Sequence, residues 1–214
     1  MLYRSMFFVG ALSIFSMSAC RKEKSLEALN TDFHCGYAPY STGSSFTYQY
    51  TNSSGDTSQY TLLVKGDTTI NGHPYSILND GYVDQFIRCN NGSYFLYERG
   101  ISLQDYELEG GDRLFLHDDY GEGATWNDTV SVTISGLAQK GLLQYHILGQ
   151  QITHTVLGKE YKNVIVVRQD AAVLVGESAY PAGTIATYYY ALGIGYVETI
   201  SATDTIRLMN YSIR

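Results

Sequence analysis

The residues able to do chemistry are few. Five histidines occur, His34, His73, His117, His146 and His154. None shows the His-x-x-x-His spacing that places two ligands on one helix face. His34-Cys35 is an adjacent pair, and neighbours on an extended chain point to opposite sides, which suits one metal poorly. His146 and His154 flank Gly149-Gln150-Gln151. Read as a turn, that triplet lets the two rings meet across a hairpin or leaves them as exposed polar strand residues. The densest acidic run is His117-Asp118-Asp119-Tyr120-Gly121-Glu122. With Asp112 it offers oxygen ligands to calcium, but it lacks the alternating spacing of an EF-hand loop. It reads better as a solvated connector. No Gly-x-Ser-x-Gly nucleophile elbow and no Gly-x-x-x-x-Gly-Lys phosphate loop occurs. Gly193-Ile194-Gly195 starts like a dinucleotide loop, yet the third glycine is missing and no helical pattern follows, so it reads as a bend between strands. Carboxylate pairs for glycoside chemistry are set by spatial rather than sequence spacing, and any of many accidental pairs would qualify. No catalytic, cofactor-binding or metal-ligating residue is assigned, and the chain reads as a non-enzyme.

Two features remain. Tyr188, Tyr189 and Tyr190 are consecutive, so within one strand they must point to both faces. Rings on the exposed face can hold an apolar ligand, stack on sugars or meet a protein. They can equally reflect β propensity alone. Cys35 and Cys89 form either a disulfide or two free thiols, and an oxidising compartment permits the former.

The elements that must position these residues are β-strands. The chain of 214 residues is long enough for one domain, with 44% apolar and only 16% charged residues. Its net charge of −7 lacks the basic footprint that nucleic-acid binding needs. From Phe46 onward no stretch keeps a helical period. Short aromatic and β-branched runs alternate with turn residues, the pattern of an all-β chain. Runs at Phe46–Thr51, Tyr60–Val64, Tyr75–Leu78, Phe86–Cys89 and Tyr94–Tyr97 make a first set. Runs at Trp126–Ile134, Leu142–Leu148, Ile152–Val156, Tyr161–Arg168, Thr184–Leu192, Tyr196–Ile200 and Thr205–Met209 make a second. Asn71-Gly72 between two runs has type I′ hairpin chemistry.

The halves share an order. Gly43-Ser44-Ser45-Phe46 answers Gly123-Ala124-Thr125-Trp126, and Ser93-Tyr94-Phe95-Leu96-Tyr97 answers Thr187-Tyr188-Tyr189-Tyr190-Ala191. The match fits a duplication, or only the turn chemistry that all meanders reuse. Paired edge to edge, the halves would form one curved antiparallel sheet, a half-barrel or barrel. Phe46 and Trp126, each opening its half after a turn, are expected to be largely buried and equivalent. The β domain is expected over 43–214, with halves at about 43–118 and 119–214, preceded by a linker over 20–42.

Residues 1–19 read as an export signal. Arg4 is followed by the uncharged stretch Met6–Met17 and then by small residues. That stretch is too short to span a bilayer as a helix, which takes about 20 residues.

Met17-Ser18-Ala19-Cys20 resembles the lipobox of bacterial lipoproteins, with Met17 in the place usually held by leucine. The resemblance implies cleavage before Cys20, diacylglycerol on its thiol and a fatty acid such as palmitate on its amine. Ordinary cleavage at Ala19 would instead leave Cys20 a free thiol. Two or more acyl chains anchor firmly, at about 0.8 kcal/mol per buried CH₂. No aspartate directly follows Cys20, which leans toward the outer membrane, on its periplasmic leaflet or at the cell surface.

Thr187-Tyr188-Tyr189-Tyr190-Ala191-Leu192-Gly193-Ile194-Gly195-Tyr196-Val197-Glu198 resembles a segment of small, uncharacterised Gram-negative lipoproteins, and Gly66-Asp67-Thr68-Thr69-Ile70-Asn71-Gly72 looks like the same group. The resemblance implies a tyrosine-rich open β half-barrel, loosely like the periplasmic LolA/LolB carriers in outline. No residue of those carriers' lipid site can be matched here. The expectation is a lipid-anchored envelope protein that binds an apolar or amphipathic ligand without cofactor. The rival expectations are a module recognising glycan or protein through surface tyrosines, and a hydrolase with spatially assembled carboxylates.

Overall fold

The computed structural model describes residues 35–103, 106–134 and 136–214. Cys20 and residues 1–34 lie outside the described residues, as does His34. The described chain is almost wholly strand. In chain order the strands are β1 (Ser45–Asn52), β2 (Thr57–Ile70), β3 (His73–Asn79), β4 (Asp84–Asn90), β5 (Ser93–Glu98), β6 (Ile101–Leu103), β7 (Tyr106–Leu108) and β8 (Gly111–His117). They continue as β9 (Thr125–Ile134), β10 (Leu137–Val156), β11 (Lys159–Val175), β12 (Ser178–Ala191), β13 (Gly195–Ser201) and β14 (Asp204–Ser212).

All fourteen belong to one antiparallel sheet in the order β6-β7-β9-β10-β11-β12-β13-β14-β1-β2-β3-β4-β5-β8. The two halves meet edge to edge where β14 pairs with β1. The sheet curves until its β8 edge approaches β9. There the Trp126 Nε1 donates to the Leu114 carbonyl at 3.0 Å, so a side chain bridges a seam that no ladder closes. Near-closure of this kind protects strand edges from pairing with other chains.

Turn chemistry sets several of these pairings. Asn71 and Gly72 both take positive φ, the type I′ geometry that matches strand twist. Gly195 is needed for room as well as conformation. A Cβ there would sit 2.9 Å from the Tyr40 hydroxyl.

Several elements differ from their sequence reading. Leu142–Leu148 and Ile152–Val156 are one continuous strand, β10, because the intervening residues form a bulge rather than a turn. The β10–β11 register shifts repeatedly between Ile147 and His154, and Gln151 and Asn163 both adopt left-handed backbone. The strands bend there, and the hairpin end packs back on the sheet through Val156 and Tyr161. His146 and His154 therefore do not meet across a hairpin. β8 was not among the expected strands, although Leu114-Phe115-Leu116 gave an apolar run. Residues 35–42, expected as the end of a linker, pack against the sheet. Tyr37 is buried, its backbone N–H donates to the Tyr94 hydroxyl, and the Gly193 N–H donates to the Gly36 carbonyl at 2.7 Å.

Two apolar clusters result. Phe46, Tyr48, Leu62, Val64, Leu78 and Leu208 cluster with Val156 and Tyr161 of the folded-over hairpin. Tyr37, Tyr94, Leu116, Tyr145, Ile147 and Tyr190 form the other cluster. β11 serves both, since Val164 and Val166 join the first, and Ile165 and Val167 the second. Phe46 is fully buried, but Trp126 is only half-buried, held at the seam rather than in a matching core position.

Candidate functional site

Strand alternation sends every second side chain to the inside of the curve. Pairs two apart line one internal cavity of about 220 Å³. They are Gln85 and Ile87 on β4, Leu96 and Glu98 on β5, Arg113 and Phe115 on β8, Leu143 and Tyr145 on β10, and Tyr188 and Tyr190 on β12. Tyr48, Leu62 and Leu78 complete the wall from β1–β3, Gln169 and Tyr196 from β11 and β13, and Tyr40 from the packed N-terminal segment. An apolar cavity of roughly 150 Å³ accepts a benzene ring, so this one has space for a ring with a short polar arm.

The cavity has an apolar body and a small set of polar groups. Tyr190 lies 5.6 Å from Phe115 and 6.2 Å from Tyr196, centroid to centroid. Tyr48 packs against Tyr196 at 5.3 Å and donates its hydroxyl to the Tyr196 carbonyl. Among the polar groups, Arg113 donates from Nε to Glu98 at 3.1 Å and from Nη2 to the Glu109 carbonyl at 3.0 Å. Gln169 is buried. Its amide donates to the Tyr145 hydroxyl at 3.0 Å, and its oxygen accepts from Tyr188 at 2.8 Å. Burial pushes the pKa of the Tyr40 hydroxyl up to about 12 and those of Tyr188 and Tyr190 above the ordinary tyrosine value. These tyrosines are neutral donors at physiological pH rather than acids or bases.

The structure separates the three consecutive tyrosines. Tyr188 and Tyr190 face the cavity. Tyr189 faces the other way, where its ring stacks on His154 at 4.0 Å. Cys35 and Cys89 are joined by a disulfide, with their Cα atoms 5.7 Å apart. The bond ties the N-terminal segment to β4, next to the cavity-facing Ile87, and so holds Tyr37 and Tyr40 in place.

His146 and His154 each meet a separate carboxylate. His146 lies 3.2 Å from Asp170, and His154 lies 2.7 Å from Glu198, which also accepts from Arg207. Among the described residues no group of three or more His, Cys, Asp or Glu side chains converges as a metal site. The run at His117–Glu122 is an exposed connector over Asp119–Glu122, as its composition suggests, but it is anchored where it leaves β8. His117 is buried, stacks on Tyr120 at 3.9 Å and bonds Ser93 at 3.1 Å. The Asp118 carboxylate accepts from Tyr94 at 2.5 Å, and its carbonyl accepts from Gln150. Sequence reasoning missed Arg113, Glu98, Gln85 and Gln169, whose types gave no motif. Their only signature is a polar residue two positions from an apolar one in a strand.

No protein-family model matches the chain, and no curated protein matches its sequence. Solved structures resemble it weakly. A proposed lipoprotein from Parabacteroides distasonis aligns with a TM-score of 0.49 at 12% identity, over 81% of this chain and 97% of that one. A proposed exported protein with a YmcC-like fold from Bacteroides fragilis aligns at 0.48 and 11%, over 80% and 96%. The hypothetical lipoprotein YmcC from Escherichia coli aligns at 0.36 and 8%, over 79% and 88%.

Proposed function

We propose that this chain is an exported, lipid-anchored envelope protein whose barrel binds a small apolar or amphipathic molecule without transforming it. The cavity carries the reading: an aromatic and aliphatic wall, a few fixed polar groups, and one mouth segment held by a disulfide. Ligand sites have this composition in general, apolar with a small number of placed polar groups. The export pattern at residues 1–19, the lipobox-like Met17–Cys20 and the Cys35–Cys89 bond all agree with an oxidising compartment. Acylation of Cys20 would place the barrel at a membrane, for which the outer membrane is our choice. Tyr188 and Tyr190 point inward, which removes two of the rings that a surface glycan or protein site would use.

Calorimetric titration of the full chain in phosphatidylcholine nanodiscs with 2-phenylethanol tests the binding reading, with empty nanodiscs as blank. Saturable binding is expected, and it is expected to vanish in Leu96→Trp, which fills the cavity with the larger ring. Binding that survives Leu96→Trp in a folded variant, or no binding to the native chain, overturns the reading.

A further inference from the structure

The polar groups that line the cavity narrow the chemistry of its ligand. Two charged residues are among them, Glu98 and Arg113, and they pair with each other at 3.1 Å. Arg113 also donates to the Glu109 carbonyl. An ion of either sign entering the cavity therefore finds no unpaired counter-charge. It would give up its water without a partner, and a buried charge without one is costly. Burial, and after it charges that include Glu98, make the hydroxyls of Tyr145 and Tyr188 harder to ionise. An anion placed beside those hydroxyls meets the same opposition.

The groups left unspent are neutral. Gln169 is buried between two tyrosines that line the cavity with it. Its Nε2 donates to the Tyr145 hydroxyl at 3.0 Å, and its Oε1 accepts from the Tyr188 hydroxyl at 2.8 Å. Tyr145 thus accepts a hydrogen bond but has no acceptor for its own proton among the described residues. Turning the amide over exchanges the roles of the two tyrosines and leaves the count the same. In either orientation the amide accepts one hydroxyl proton and donates to the other hydroxyl oxygen, so one tyrosine proton remains. A buried donor of this kind calls for an acceptor. On β4 the Gln85 side chain also lines the cavity, and it makes no hydrogen bond among the described residues. Its amide holds one group that donates and one that accepts.

We infer that the cavity takes a neutral amphipathic molecule whose head carries a carbonyl, a carboxamide or an ester, in preference to a free acid or an amine of the same skeleton. The inference rests on the binding reading above and adds the head group of the ligand. The carbonyl oxygen accepts the tyrosine proton that Gln169 leaves over. Gln85 supplies a second donor to that oxygen and, for a carboxamide, an acceptor for its N–H. The apolar part lies against the wall that Leu96, Phe115 and Leu143 provide. Such a ligand uses each unspent polar group and leaves the Glu98–Arg113 pair intact, so selectivity comes from matched neutral hydrogen bonds.

Four probes of nearly one shape decide it: phenylacetamide, 2-phenylethanol, phenylacetate and 2-phenylethylamine, titrated at neutral pH into the full chain in phosphatidylcholine nanodiscs, with empty nanodiscs as blank. The amide is expected to bind at least about tenfold more tightly than either ion, with the alcohol between them. Gln85→Met is expected to weaken the amide about tenfold and the alcohol less. Tyr188→Phe lets the Gln169 amide turn and take the Tyr145 proton, so it is expected to weaken both neutral probes. If the acid or the amine binds as tightly as the amide, the inference falls while the binding reading stands. The same follows if amide binding is unchanged in both variants and both melt cooperatively. If none of the four binds, both fall. Should a variant lack a cooperative thermal melt, the ranking of the four probes on the native chain decides alone.

Discussion

On the inner face of β11–β13, Gln169, Tyr188, Tyr190 and Tyr196 bury aromatic surface around uncharged hydrogen bonds. On the outer face of the same strands, Tyr189 and Glu198 lie under the β10–β11 hairpin end, where Glu198 holds His154 at 2.7 Å and Arg207 at 2.7 Å. A bulge in β13 makes this division. Tyr189 opposes Glu198, but Tyr190 opposes Tyr196, so Val197 is the extra residue and the two polar ends diverge. One face is thus built to hold space, the other to hold a cover. The inner face keeps its charges few and leaves room. The outer face fills its room with a charged triad and a stacked ring.

If this contrast is right, the largest losses come from the apolar inner core. Phe46 is fully buried against Tyr40 at 5.4 Å. Phe46→Ala should cost about 3–5 kcal/mol, the range for removing a buried ring. Trp126→Ala should cost less than Phe46→Ala, because Trp126 is half-exposed at the seam. Chemical denaturation compares the two, and the reverse order would mean that the seam, rather than the core, carries the fold.

Next in size is the covalent tie at the cavity mouth. Cys35 and Cys89 are 54 residues apart, and closing such a loop is worth about 3–4 kcal/mol in the chain-entropy model. Melting with and without reductant should show a loss of that order. Reduction should also loosen Tyr40 and so weaken 2-phenylethanol binding. Unchanged binding after reduction would show that the N-terminal segment does not shape the cavity.

The outer face gives a smaller effect. Glu198 is buried, but its partners His154 and Arg207 are 21% and 34% exposed at their side chains. Removing one member of a buried ion pair leaves uncompensated charge, and partial exposure of the partners screens much of it. Glu198→Gln should therefore cost about 1–2 kcal/mol and should make the Leu157-Gly158-Lys159 turn easier to cleave by trypsin. Stability loss without faster cleavage would separate the triad from the hairpin's position.

The all-β class was legible because the evidence for it is local. Alternating aromatic runs and Asn71-Gly72 carry their own geometry, and the single sheet follows from strands that must pair. The run Tyr161–Arg168 read only as a strand, and its burial on both faces, with Val164 and Val166 in one cluster and Ile165 and Val167 in the other, came with the fold. Strand β8 and the anchoring of His117 and Asp118 at its end were hidden because composition does not record curvature. The site was hidden for a related reason. Arg113, Glu98, Gln85 and Gln169 come from four strands, and only the curving of the sheet brings them to one cavity. Tyr188 and Tyr190 were visible as candidates, but the direction each ring takes depends on a register that the β13 bulge sets.

The smallest effect separates the seam from both faces. Burial lowers the His117 ring below the ordinary histidine value, against the opposing charges of Asp119 and Asp118. The folded protein thus keeps His117 neutral to a lower pH than the unfolded chain does. Below about pH 6.5 the unfolded chain takes up the proton first, so stability is lost as pH falls through that window and is untouched above it. Thermal melts between about pH 7.5 and 5.5 should show the native chain losing more stability than His117→Asn over the same interval. The variant keeps a polar group beside Ser93, so its offset at high pH is separable from its slope. Equal slopes would mean that the carboxylates, and not burial, govern His117.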